Sequence, residues 1–317
     1  MAMREDAAIT TIFRMRMYTF GLWVAFGMLL AVVMLALLLK KKKAGTAALQ
    51  SVLTISLGLV FSRFLYGITD DTIGQSSPLW VLVRLNLGGY SLYGALGGAI
   101  LAAWLTAKLS KQRFIDCLDP VAPAFLLFVI CERLGEGTLG EVLEGFGWSR
   151  ELIYSELPGT VFSITDGNAW YLATWRMEAL IAAVLFVLVL RWSLKKQNSR
   201  PPFICFMLLY GSTQIIMESL RHDLHMTLIS FVRVEQILSM VLLGVAVIIL
   251  AVGKWHTHRT LALAGLISIP LVTAIAVGIE FMIDRTAINR YLLYLCFIAV
   301  VAIPVVLGFR LLKEERA

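Results

Sequence analysis

The sequence predicts an all-α polytopic membrane protein. Of its 317 residues, 59% are hydrophobic and only 15% charged, where soluble domains run about 45–50% apolar and about 25% charged. The apolar residues fall into runs of about 20, the length a helix needs to cross about 30 Å of hydrocarbon. No polar stretch between them is long enough for a soluble domain, so a single integral bundle is expected.

Nine spans follow, in order. Span one, 18–39, carries no charge and is followed by the cluster Lys40 to Lys43. Its length, and the position of that cluster after the run, argue against a cleavable signal. Span two, 46–67, holds Arg63 near its end. Span three, 86–109, opens in a glycine-rich stretch. Span four, 119–135, opens with Asp119, Pro120 and Pro123 and closes on Glu132 and Arg133. Span five, 170–190, contains Glu178. Span six, 202–220, contains Gln214 and Glu218 and leads into Arg221. Span seven is 232–252. Spans eight and nine, 260–282 and 289–312, are cleaner hydrocarbon and read as an appendage to a seven-span core.

Loop charge sets the orientation. Lysine and arginine clusters follow spans one, three, five, seven and nine: Lys40 to Lys43, Lys108 with Lys111 and Arg113, Arg191 with Lys195, Lys196 and Arg200, Lys254 with Arg259, and Arg310 with Lys313 and Arg316. That side is expected to be cytoplasmic, which places the N-terminus outside. The organisation expected is an outer segment at 1–17, a core at 18–252 with an outer arm at 136–169, and two further helices with a tail at 253–317. The net charge of +7 belongs to this loop pattern and implies no nucleic acid. Cys117, Cys131, Cys205 and Cys296 lie in or beside apolar runs with no CxxC spacing, so neither a disulfide framework nor a metal site is expected.

An ionised group in the hydrocarbon region costs at least about 2.5–3.5 kcal/mol on insertion scales. Arg63, Glu132, Arg133, Glu178, Glu218 and Arg221 nevertheless sit within or at the ends of spans, all toward the predicted outer side. Such charges pair with one another or line a polar cavity.

Four stretches carry the chemistry. Gly88 to Gly98 holds five glycines in eleven residues. Gly94 and Gly98 suit close helix packing, and Gly94, Gly97 and Gly98 equally suit a lipid chain laid against backbone. Asp116 to Pro123 reads as a helix start, with Asp119 as N-cap and Pro120 at the first helical position. Glu132 to Glu141 places an arginine fork, suited to phosphate or carboxylate, before three glycines that permit tight turns; the alternative is an internal ion pair of Arg133 with Glu136 or Glu218. Gln214, Glu218 and Arg221 stand at i, i+4 and i+7, one helix stripe that faces the protein interior or pairs between helices.

These motifs, in this order from about residue 18 to 245, resemble bacterial prolipoprotein diacylglyceryl transferases. The similar segments are Tyr93 to Gly98 (like that family's H-G-G-L-I-G), Asp119 to Pro123, Arg133-Leu-Gly135 with Gly140-Glu141, Glu218 to Asp223, Gln236 with Ser239, and Ser62-Arg63-Phe-Leu-Tyr66. The chain departs from the family where Tyr93 replaces a His, Phe20 a Tyr, Glu136 an Asn and Gln214 an Arg. Its Trp175-Arg176-Met177-Glu178 stands where the family has a His-Pro…Tyr-Glu motif.

The resemblance implies transfer of a diacylglyceryl group from phosphatidylglycerol to the thiol of a lipobox cysteine in a prolipoprotein, with glycerol 1-phosphate leaving. It implies a bacterial cytoplasmic membrane with the active face outward, and no metal or organic cofactor. Under it Arg133 and Arg221 form a phosphate clamp with Arg63 as a third candidate. Glu218 orients an arginine, and Gln214 offers a neutral hydrogen bond. Tyr93 acts as a base only if neighbouring arginines lower its pKa, and otherwise bonds the headgroup. Glu141 is an alternative base or an anchor of the outer arm. The replaced residues leave open a lipid- or peptide-binding homologue without the chemistry. A solute transporter has no support beyond the polytopic form, because no repeats or broken-helix pairs are visible.

Overall fold

A computed structural model describes residues 10–12, 15–40, 45–69, 89–140, 149, 160–165, 169–195, 201–221, 228–229 and 232–313. Among the described residues nine helical segments are long and apolar enough to cross a membrane. They are α1 (Thr19–Leu39), α2 (Thr46–Thr69), α3 (Leu92–Ser110), a short α4 (Phe114–Leu118) running into α5 (Val121–Gly140), α6 (Thr174–Leu194), α7 (Pro202–Leu220), α8 (Val234–Gly253), α9 (Arg259–Arg285) and α10 (Arg290–Lys313). Three two-stranded antiparallel ribbons complete the description: β1 (Thr10–Ile12) with β2 (Met15–Met17), β3 (Ser163–Thr165) with β4 (Trp170–Leu172), and β5 (Leu228–Ile229) with β6 (Val232–Arg233). The chain is a multi-pass, all-α membrane protein.

It forms two compact units, one of residues 1–193 with 222–227 and one of residues 194–221 with 228–317. In the first, α2 packs along α3 and α1 along α5. The α2–α3 seam is nearly backbone to backbone. A Cβ on Gly94 would lie 2.4 Å from the Phe61 carbonyl oxygen, and one on Gly98 2.4 Å from that of Leu57. The small-xxx-small spacing is thus used for helix packing. A Cβ on Gly97 would meet nothing within 4 Å. Gly98→Ala is therefore expected to cost about 1–3 kcal/mol of stability, and Gly97→Ala within about 0.5 kcal/mol, measured by unfolding in mixed micelles. Equal costs would mean that the seam does not need Gly98.

In the second unit α7 packs on α8, and α9 and α10 pack on both each other and α8, with α10 also against α7. α7 is the most enclosed of the spans. Its Gly211 lets the Ser239 carbonyl approach to 3.0 Å of where a Cβ would stand.

Several boundaries differ from those the sequence suggests. The third span begins at Leu92, because Gly89 takes a left-handed φ of +80° and Ser91 caps the helix by accepting from the Gly94 N–H at 3.3 Å. Asp119 is not an N-cap: it is the helical C-cap of α4, its N–H donating to the Ile115 carbonyl at 2.9 Å. The largest departure is α5, which runs through Glu132 and Arg133 to Gly140. Gly135 and Gly137 lie in the helix and make no turn. They clear room for aromatic neighbours, Trp23 at 2.6 Å from a Cβ on Gly135 and the Trp175 ring at 2.6 Å from one on Gly137.

Of the expected outer arm, the β3–β4 ribbon is described, and Ser149 joins it: its N–H donates to the Leu172 carbonyl and its hydroxyl accepts from the Leu172 N–H. Residues 70–88, Glu141, Glu144, Glu151, Glu156, Asp166, His222, Asp223 and His225 lie outside the described residues.

Candidate functional site

The buried arginines organise each unit. In the first, the end of α5 carries Arg133, 4% exposed. Its Nε lies 2.7 Å from a Glu178 oxygen on α6 and 3.6 Å from Glu132, and its Nη1 lies 3.0 Å from Glu136. Glu178 is fully buried and Glu136 nearly so. The ion pair with Glu136, one of the two readings its sequence allowed, is thus formed, and Glu178 is added to it. Among the described residues Arg133 meets three carboxylates in one buried cluster. Its first physical effect is to tie α5 to α6, with the guanidinium fixed in low-dielectric surroundings.

Arg63, 2% exposed on α2, donates from Nη1 to the Gly89 carbonyl at 2.7 Å. Its guanidinium lies 5.4 Å from the Tyr90 ring centroid and 6.0 Å from that of Tyr66, cation–π distances. The same joint is fastened by Ser62, whose hydroxyl donates to the Ser91 carbonyl at 2.8 Å. Gly89 is required there twice over: its φ is positive, and a Cβ would fall 2.1 Å from the Tyr66 ring. Tyr93 is half-buried in the first turn of α3, beside the tight Gly94 contact.

In the second unit, Gln214 and Glu218 are buried on α7 at 2% and 0% exposure, and Arg221, at 3%, is its C-cap in extended conformation. The i, i+4, i+7 stripe is therefore interior. Three groups there escaped the sequence reading. Arg233, 4% exposed at the end of β6, donates to the Arg221 carbonyl. Glu280 on α9, 1% exposed, accepts from Ser219 Oγ at 2.6 Å and lies 3.8 Å from Arg233 Nη1. Tyr294 on α10 donates to the Ser219 carbonyl at 3.2 Å. The signal that could have found Glu280 is a lone carboxylate inside an apolar run, between Ile279 and Phe281.

A sequence model of prolipoprotein diacylglyceryl transferases matches residues 7–252. The chain belongs to this family. Among its relatives are proteins named phosphatidylglycerol–prolipoprotein diacylglyceryl transferase. The one from Teredinibacter turnerae is 34% identical over 150 residues, 47% of this chain and about half, 49%, of that protein. The one from Oceanobacillus iheyensis is 25% identical over 73% of this chain and 82% of its own. One from Clostridium perfringens is 23% identical over 78% and 94%. The family match takes in Arg63, Tyr93, Arg133, Glu178, Glu218, Arg221 and Arg233. It stops at the end of α8, so α9 and α10, with Glu280 and Tyr294, lie beyond it.

Proposed function

We propose that this member of the family transfers a diacylglyceryl group from phosphatidylglycerol to the thiol of a prolipoprotein lipobox cysteine. Supporting it is family membership over 7–252 joined to one observation: three arginines at the matched motifs, Arg63, Arg133 and Arg221, are each at most 4% exposed. A buried arginine in a membrane protein is costly and marks a functional site by default.

In the reaction the thiol loses its proton, since the thiolate is the nucleophile. Its sulfur bonds to the glyceryl carbon that carried the phosphate oxygen. The C–O bond breaks, its electron pair goes to that oxygen, and glycerol 1-phosphate leaves. The protein must stabilise the charge on the departing phosphate and hold both substrates out of water.

Arg133, Arg221 and Arg63 are the proposed phosphate donors. Arg133 is held before substrate arrives by carboxylates, and Arg63 by the Gly89 carbonyl and two tyrosine faces, while Arg233 holds the backbone carbonyl of Arg221; a fixed donor needs no reorganisation during the reaction. Glu218 orients an arginine, and Gln214 gives a neutral hydrogen bond. Gly97, whose Cβ position is open, is the glycine best suited to lie against a lipid chain; Gly94 and Gly98 shape that surface by packing. Tyr93 bonds the headgroup, and Glu141 anchors the arm. The core at 18–252 carries the reaction in a bacterial cytoplasmic membrane, with the active face outward. The bilayer and the lipobox peptide are its partners, with no nucleic acid, metal or organic cofactor.

A binding homologue without the chemistry is the second reading. The neutral Gln214 amide, where the family carries an Arg, favours it. The two are separated in phosphatidylglycerol liposomes with a lipobox peptide, following glycerol phosphate release. The transferase reading expects release from the Cys peptide and none from its Cys→Ser form. Lipid binding without thiol-dependent release would establish the binder.

A further inference from the structure

The carbonyls of a helix's last turn have no partner within the helix. Inside a bilayer they must be satisfied by protein or enclosed water. At the end of α7 the donors come from far along the chain. Tyr294 of α10 donates to the Ser219 carbonyl at 3.2 Å, and the Arg233 guanidinium donates to the Arg221 carbonyl. Ser219 in turn donates its hydroxyl to Glu280 Oε2 at 2.6 Å, and the Gln236 amide donates to the same oxygen at 3.3 Å. The other carboxylate oxygen lies 3.8 Å from Arg233 Nη1. Gln236 also accepts from the Arg233 N–H at 3.0 Å and donates to the Ile215 carbonyl at 3.3 Å. One carboxylate from α9 thus gathers α7, β6 and the first turn of α8.

These ties reach the backbone that carries the interior stripe. Ser219 adjoins Glu218, and the carbonyl held by Arg233 is that of Arg221 itself. A helix end fastened in this way cannot turn about its axis or slide without breaking buried, charge-assisted hydrogen bonds, the stronger kind. The helices that supply Glu280 and Tyr294 lie outside the region matched by the family. Glu280 and Tyr294 both meet α7 where it ends.

We propose that α9 and α10 are a positioning element for the stripe of Gln214, Glu218 and Arg221, with Glu280 as the positioning residue acting through Arg233 and Ser219. The proposal rests on the transferase reading for the reaction that the stripe serves. Its geometric half stands apart: without Glu280, the end of α7 loosens.

The test uses the full chain. Glu280→Gln keeps an oxygen to accept from Ser219 and removes the charge that faces Arg233. In the liposome assay it should lower kcat about tenfold with KM within about threefold of the parent. Tyr294→Phe, a milder change that preserves packing, should lower kcat about threefold. If Glu280 acts through Arg233, Glu280→Gln combined with Arg233→Met should lose no more than the larger single change. Amide exchange at 217–221 should quicken about tenfold in Glu280→Gln.

Parental kcat in both single variants, additive losses in the double variant, or unchanged exchange at 217–221 would each overturn the proposal. Should the parent protein itself release no glycerol phosphate, the transferase reading fails alone and exchange decides the positioning claim. Faster opening in Glu280→Gln supports it, and equal opening refutes it.

Discussion

Arg133→Ala is expected to lower kcat/KM for thiol-dependent glycerol phosphate release by at least about 100-fold, the scale seen when a fixed donor to developing charge is removed. Arg133→Lys should lose nearly as much. The reason lies in the fork. Nε reaches Glu178 on α6 at 2.7 Å while Nη1 reaches Glu136, one turn along α5, at 3.0 Å. A guanidinium meets two carboxylates in fixed directions, and an ammonium is a single point charge on a flexible stem. Lysine would satisfy one of the two and leave the donor placed differently toward the phosphate. The measurement is the liposome assay on protein shown to be folded by its melting transition. Activity of Arg133→Lys within about threefold of the parent would mean that charge alone matters there. Unchanged activity in Arg133→Ala would restrict Arg133 to tying helices together.

Much of the fold was legible because lipid imposes so simple a rule. A run of about 20 apolar residues is read the same way by the eye and by the bilayer, and the span ends at 39 and at 202–220 coincide with the helices formed. The failures are at polar residues within spans. Glu132 and Arg133 looked like the end of the fourth span because charge normally marks the water interface. With Arg133 paired to Glu132, Glu136 and Glu178, both are accommodated in the protein interior, and the helix continues. Gly135 and Gly137 looked like turn residues, yet their missing side chains are filled by Trp23 and Trp175, which no local pattern announces.

The buried charges of the candidate site were legible in part for the same reason. Arg63, Arg133, Glu178, Glu218 and Arg221 stood out singly as charges in apolar runs. Their partners were legible only where close in sequence, as with Glu136. Glu280 meets Ser219 across 61 residues and Gln236 across 44. One sequence gives no means of joining such pairs, so the last two spans looked like plain hydrocarbon.

The largest stability effect should also come from the Arg133 cluster, and it separates scaffold from chemistry. Arg133→Met removes the cation and leaves Glu178 and Glu136 buried without it. Breaking a buried pair from one side costs about 3–5 kcal/mol, because the remaining charge is no longer compensated. Replacing Glu136 and Glu178 by apolar groups together with Arg133 removes those charges as well, and such replacements are often neutral or stabilising. The triple variant Arg133→Met, Glu136→Leu, Glu178→Leu should therefore recover to within about 1–2 kcal/mol of the parent. Glu132, with 14% of its side chain exposed, is the carboxylate best able to stay hydrated and is left in place. Unfolding in mixed micelles gives the stabilities, and the liposome assay gives the activity of the same samples. Recovered stability with no recovered transfer means that the cluster's charge is needed for the reaction and not for the fold. A triple variant no more stable than Arg133→Met would show that uncompensated charge was not the source of the loss. Recovery of transfer along with stability would remove Arg133 from the reaction altogether.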